Sequence, residues 1–125
     1  MMQKSTCSRA MAYYRLSKED KSKGVSDSIE NQKKLIKAYI QRSGNITLVR
    51  EVYDDGYTGT NFNRPGFLSV MKAVEAGEID CLIVKDLSRL GREYIETGNY
   101  LEKVFPSLGI RVIAINDDYD TDHPK

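Results

Sequence analysis

Apolar and polar residues alternate along the chain in short blocks, and the length and period of each block predict what it becomes. Residues 10–16, Ala-Met-Ala-Tyr-Tyr-Arg-Leu, are an apolar stretch short enough for a first strand, and the polar segment 17–24 reads as the loop that follows it. Asp27 with Glu30 three residues on has the spacing of a capping box. Ile29, Ile36, Tyr39 and Ile40 then recur on one face until Gly44, which predicts a helix. A second strand spans 46–53 through Ile46, Leu48, Val49, Val52 and Tyr53, and ends in the turn-rich segment 54–59. Pro65 suits the first turn of a helix carrying Phe67, Leu68, Met71 and Val74, with Gly77 to close it. Residues 81–84 are continuously apolar, as expected of a strand buried on both faces, and run into a loop at 85–92. A third helix presents Leu101, Val104, Phe105 and Leu108, stops at Gly109, and gives way to a final strand at 110–115.

The order β-α-β-α-β-α-β predicts an α/β fold of three αβα layers, with a mostly parallel sheet of four to five strands. In such sheets, ligands bind outside the carboxyl ends of the strands. The segments that matter are therefore those around residues 15–17, 54–64, 85–92 and 116–120, and three of the four carry arginine.

Composition narrows the class without changing this picture. A chain of 125 residues has room for one compact domain, taken here as 10–125 behind a flexible segment 1–9. With 40% hydrophobic and 30% charged residues, it falls with ordinary soluble globular domains rather than disordered or membrane chains. No apolar run approaches the roughly 18 to 20 residues that span a bilayer, and the first ten residues lack a signal-peptide core, so the chain reads as cytoplasmic. Cys7 and Cys81 are too few for a disulfide framework, and Cys81 is expected in the core. The single histidine, His123, lies far from every arginine-bearing loop, which leaves little material for imidazole chemistry or a His-rich metal site. A net charge of +1 does not by itself argue for nucleic acid.

The distribution of charge says more than its sum. Arg15, Arg64, Arg89 and Arg92 gathered at one sheet edge would offer planar, permanently charged forks to phosphate oxygens, which is what phosphoryl transfer requires. Losing one such arginine would cost on the order of 10³-fold in rate. Ser17, two residues beyond Arg15, would be a suitable oxygen nucleophile. Its activation, without a histidine, falls to Asp54, Asp55 or Asp86, or to an arginine acting on the alkoxide. Taken singly, each of these features has a plainer reading: Ser17 as a turn residue, Asp54-Asp55-Gly56 as a turn, Arg89 and Arg92 as a solvated helical face, and Tyr13 and Tyr14 as strand packing. Their joint placement in the loops of one sheet edge favours a site.

These segments also match a family. Tyr13-Tyr14-Arg15-Leu16-Ser17 resembles the nucleophile motif Tyr-x-Arg-x-Ser of serine recombinases, and Ser28-Ile29-Glu30-Asn31-Gln32 resembles the start of that family's first helix. Asp55-Gly56-Tyr57-Thr58-Gly59-Thr60 with Asn63-Arg64-Pro65-Gly66-Phe67 resembles its second signature. The run from Val84 through Lys85-Asp86-Leu87-Ser88-Arg89-Leu90-Gly91-Arg92 resembles its third. The resemblance implies a resolvase-like catalytic domain that cuts and rejoins double-stranded DNA through a 5′-phosphoserine on Ser17, with no metal, ATP or other cofactor. It implies that Arg15, Arg64, Arg89 and Arg92 contact the scissile phosphate, supported by Gln32, Thr58, Lys85, Asp86 and Ser88. It also implies a dimer on each site and a tetramer in the synaptic complex, and no membrane partner. Thr58 replaces a serine common in the family. Ser88 stands where resolvase-type members carry an aspartate, which leaves the general acid unassigned; Ser-Arg-Leu-Gly-Arg is more like the large, transposon- or phage-associated branch. The family's dimerisation helix and DNA-binding region normally follow this domain, so the chain is expected to be part of a longer recombinase. About five cationic contacts would give it a log-log salt slope of only about −4.5. The alternatives carried are a metal-independent phosphoesterase using the same serine and arginines, and a receiver-like or flavodoxin-like binding module.

Overall fold

The structure, a computed structural model, describes residues 8–16, 28–56 and 63–121. Strand β1 (Ser8–Leu16) is followed by helix α1 (Ile29–Ser43), strand β2 (Ile46–Asp55), helix α2 (Pro65–Glu75) and strand β3 (Cys81–Val84). A single helical turn, α3 (Leu87–Leu90), leads to α4 (Tyr94–Asn99), which widens into a π-helical turn (Tyr100–Val104) and ends as α5 (Phe105–Ser107). Strand β4 (Arg111–Ala114), a 3₁₀ turn (Ile115–Asp117) and the short strand β5 (Tyr119–Asp120) complete the order.

The strands lie in the order β2-β1-β3-β4-β5, the first four parallel and β5 antiparallel to β4. The chain thus moves from β1 outward to β2, then crosses back to β3 on the other side of β1. That reversal opens a crevice at the carboxyl ends of β1 and β3, the place where open α/β sheets bind ligands.

Alternation along β1 sends its side chains to two cores. Met11 and Tyr13 join Phe67, Val70, Leu82, Leu101 and Phe105 on the α2 and α4–α5 side. Ala10, Ala12 and Tyr14 join Ile36, Cys81 and Ile83 on the α1 side. Both cores are closed, which is why β3 can be apolar at every position and why Cys81 is a buried free thiol. The three-layer α/β architecture and mostly parallel sheet are those expected.

Local expectations are corrected at several points. β1 starts at Ser8, which pairs with Ile46, rather than at Ala10. The cap of α1 is Ser28, whose side chain accepts from the Asn31 N–H at 3.1 Å, not Asp27. The stretch 85–92, read as a loop, contains α3, because Asp86 caps the Arg89 N–H at 3.2 Å. The last segment, also read as loop, holds the 3₁₀ turn and β5, fixed by a two-pronged Arg111–Asp120 pair at 3.0 and 2.8 Å. Pro106 has no N–H and crowds the preceding turn, and the helix answers by widening, with the Phe105 N–H bonding Tyr100 C=O. Leu108 is consequently exposed rather than core. Among the described residues, no helix is long and apolar enough to cross a membrane.

Candidate active site

Three segments meet at the crevice: the end of β1, the start of α2, and the α3 turn after β3. Period-two alternation puts Tyr13 and Arg15 on the same face of β1. Both are fully buried. A guanidinium in that position needs acceptors for its N–H groups, and α3 supplies them from the carbonyls its short turn leaves without helical partners. Arg15 Nε donates to Arg89 C=O at 2.9 Å, and Arg15 Nη2 donates to Ser88 C=O. Arg64 Nη2 donates to Leu90 C=O at 2.5 Å. The C-terminal end of a helical turn carries partial negative charge, so it suits two cations.

Arg64 is held on its other side by Tyr13, whose hydroxyl accepts from Arg64 Nη1 at 2.7 Å and donates to Asp54 Oδ2 at 2.7 Å. Its guanidinium carbon lies 5.7 Å from the Tyr13 ring centre and 5.4 Å from that of Phe67, within cation–π range. Asp54, buried at the end of β2, also accepts from Gly66 N–H at 2.7 Å and Phe67 N–H at 3.1 Å. It thereby caps α2, whose own N-cap residue, Arg64, has no side-chain cap bond. Burial, with the Asp54 hydrogen bond adding to it and the Arg64 charge opposing it, pushes the Tyr13 hydroxyl above its usual range, so it remains a neutral donor.

Gln32 and Arg89 fix the main chain where β1 ends. The Gln32 side chain accepts from Arg15 N–H at 3.2 Å and donates to Arg15 C=O at 3.0 Å, and that same carbonyl accepts from Arg89 Nη1 at 2.8 Å. Arg89 Nε lies 3.5 Å from Asp86 Oδ1. The α3 turn is tied down in turn by Asp117 of the 3₁₀ turn, which accepts from Leu87 N–H at 2.7 Å. Three buried guanidinium groups outnumber the two carboxylates among them, and Arg92 adds its charge from an exposed position. Burial, followed by the fields of Arg64, Arg89 and Arg92, lowers Arg15 to about 10. Such a site favours an anion.

Of the residues singled out from sequence, Arg15, Arg64, Arg89, Gln32, Asp86 and Ser88 are brought together. Arg92 follows α3 at the surface, and Lys85 is half-buried, its carbonyl accepting from Asn116 N–H at 2.8 Å. Ser17 and Thr58 lie outside the described residues. Sequence reasoning missed Tyr13 as a polar member, Asp54 as a cap and Asp117 as a tether. The signal for Tyr13 was available in its shared strand face with Arg15; the other two depend on contacts between segments distant in sequence.

Known proteins share this fold. The family model described as "Resolvase, N terminal domain" matches residues 10–125. Similar solved structures include the N-terminal catalytic domain of TP901-1 integrase, 25% identical with a TM-score of 0.81, covering 92% of this chain and 82% of that one. The C-terminal catalytic domain of ISC1926 TnpA, an IS607-like serine recombinase, is 27% identical with a TM-score of 0.69, covering 86% and 67%. A resolvase family site-specific recombinase from Streptococcus pneumoniae shares the fold at 23% identity and a TM-score of 0.71, covering 94% and 78%. No curated protein sequence matches.

Proposed function

The chain belongs to the resolvase N-terminal domain family, the catalytic domain of serine recombinases, and from that premise we propose that it cuts and rejoins DNA through a 5′-phosphoserine bond on Ser17. The observation that carries the proposal is the set Arg15, Arg64 and Arg89 gathered at the switch point of the sheet, with Arg15 two residues before Ser17 in the chain. Ser17 Oγ attacks the scissile phosphorus, the 3′ oxygen departs, and the strand ends exchange before the 3′-hydroxyl attacks in reverse. The phosphoserine conserves the bond, so neither ATP nor a metal is required. Arg15, Arg64, Arg89 and Arg92 stabilise the charge that develops on the phosphate oxygens, and Gln32, Thr58, Lys85, Asp86 and Ser88 support them. Pre-set guanidinium groups need little reorganisation when that charge appears. The working form is a dimer on each DNA site and a tetramer when two sites are joined, so the domain alone binds DNA weakly and completes little recombination.

The test is a covalent adduct. The intact protein, mixed with a nicked duplex of the DNA flanking its gene, is expected to form a denaturation-resistant protein–DNA species that Ser17→Ala does not form. An adduct formed equally by Ser17→Ala would sink the assignment. Release of inorganic phosphate without an adduct would instead make the domain a phosphoesterase.

A further inference from the structure

When the bond from phosphorus to the 3′ oxygen breaks, that oxygen leaves as a strongly basic alkoxide unless a proton reaches it. Three hydroxyl–carboxylate pairs are present among the described residues. Tyr14 donates to Glu51 at 2.9 Å, but Tyr14 belongs to the core on the α1 side of the sheet. Tyr13 and Asp54 are sealed: the tyrosine is fully buried, and both carboxylate oxygens of Asp54 are already engaged by the N–H groups of α2. The third pair is different. Ser88 Oγ donates to Asp86 Oδ1 at 2.5 Å, and both residues are only half-buried. Arg89 Nη2 lies 3.4 Å from the same Ser88 oxygen, while Arg89 Nη1 holds the carbonyl of Arg15. The hydroxyl therefore stands beside the arginine that grips the chain just before Ser17.

We propose that Ser88 and Asp86 form a proton relay for the 3′ oxygen, with Ser88 as the group that meets it and Asp86 as the proton store. The inference rests on the strand-exchange reading given above. In cleavage, the Ser17 Oγ–phosphorus bond forms and the phosphorus–O3′ bond breaks. O3′ takes the Ser88 hydroxyl proton while Ser88 takes the proton of the Asp86 carboxylic acid, and the Ser17 proton passes to water. In rejoining, the 3′-hydroxyl attacks phosphorus, its proton moves to Ser88, the Ser88 proton moves to the Asp86 carboxylate, and Ser17 recovers a proton from water. The observed hydrogen bond, hydroxyl to carboxylate, is the arrangement ready for rejoining.

Replacing the scissile 3′ oxygen by sulfur tests the relay, because a thiolate leaves without needing a proton. Asp86→Asn keeps the cap of α3, since asparagine caps as well as aspartate, but it cannot carry the proton. On the oxygen duplex, Asp86→Asn and Ser88→Ala are expected to form adduct about 10²- to 10⁴-fold more slowly than the parent protein, and on the sulfur duplex within about threefold of it. Adding Ser88→Asp to Asp86→Asn is expected to restore the oxygen reaction to within about tenfold, because the acid then reaches O3′ directly. Equal slowing on both duplexes, or no slowing on oxygen, would overturn the relay while leaving the nucleophile assignment intact. Absence of adduct with the parent protein on either duplex would overturn that assignment itself, and the relay with it.

Discussion

Arg15 is buried beside two other guanidinium groups, and its protonation is penalised first by desolvation and then by Arg64, Arg89 and Arg92, which bring it to about 10. A base whose folded value lies below its unfolded one holds its proton less tightly when folded. The unfolded chain therefore binds more protons from about pH 10 up to the ordinary arginine range, and stability from this group rises with pH there; below about pH 10 the cost is constant. At neutral pH the charge remains, and an anion relieves the repulsion. Inorganic phosphate or sulfate is expected to raise the melting temperature, by about 1.4 kcal/mol of stability at ten times the dissociation constant. With sulfate, whose charge is constant over this range, the effect should be flat from pH 7 to 9, decline near pH 10, and shrink in Arg15→Gln; a sulfate titration followed by circular dichroism reads all three. Tyr13 makes a second residue-scale case. Tyr13→Phe removes the partner of both Arg64 and Asp54 in a buried site, so denaturant unfolding should show a loss of about 1 to 3 kcal/mol.

At the scale of elements, α2 starts correctly because β2 ends correctly. Asp54 reaches across twelve residues to the N–H groups of Gly66 and Phe67, and the chain approaches so closely that a Cβ on Gly66 would lie 2.8 Å from Asp54 Oδ2. Gly66→Ala is therefore expected to push the carboxylate out of its cap and loosen Tyr13 and Arg64 with it. The expected loss is about 1 to 3 kcal/mol, checked by thermal unfolding, and Gly98→Ala in α4, where a Cβ meets open space, serves as the comparison, with a gain of about 0.5 to 1 kcal/mol expected. These contacts explain which elements were legible. The strand 81–84 and the helices closing at Gly44 and Gly77 follow from local period and punctuation, as does the strand from Ile46, although it runs on through Asp54 and Asp55, read as a turn, because these pair with Arg15 and Leu16 of β1. The α3 turn did not follow, because four residues show no period. Its helical form depends on carboxylates at its start, Asp86 from its own segment and Asp117 from the 3₁₀ turn thirty residues on from Leu87. The π turn was equally hidden, since Pro106 was not weighed against the helix it interrupts.

At the scale of the molecule, the parallel sheet makes the site by bringing arginines from three separated segments to the crevice between β1 and β3. That convergence was legible, because parallel β-α-β connections put Arg15, Arg64 and the segment 85–92 at one edge. What the sequence does not express is the division of labour among the arginines. Arg15, Arg64 and Arg89 are buried, Arg15 and Arg89 each bonding the other's carbonyl and Arg64 that of Leu90, whereas Arg92 is exposed. Each arginine that neutralises a DNA phosphate contributes about −0.9 to the slope of log affinity against log salt. Arg92→Gln should accordingly make the slope shallower by about 0.9 and leave the unfolding midpoint unchanged, because an exposed side chain contributes little to stability. Arg89→Gln should do both, flattening the slope and lowering the midpoint, since it also releases the carbonyl of Arg15. Fluorescence anisotropy across a salt series, paired with unfolding of the same proteins, separates the two; a stability loss in Arg92→Gln equal to that in Arg89→Gln would mean that the surface arginine is part of the scaffold rather than a contact for DNA.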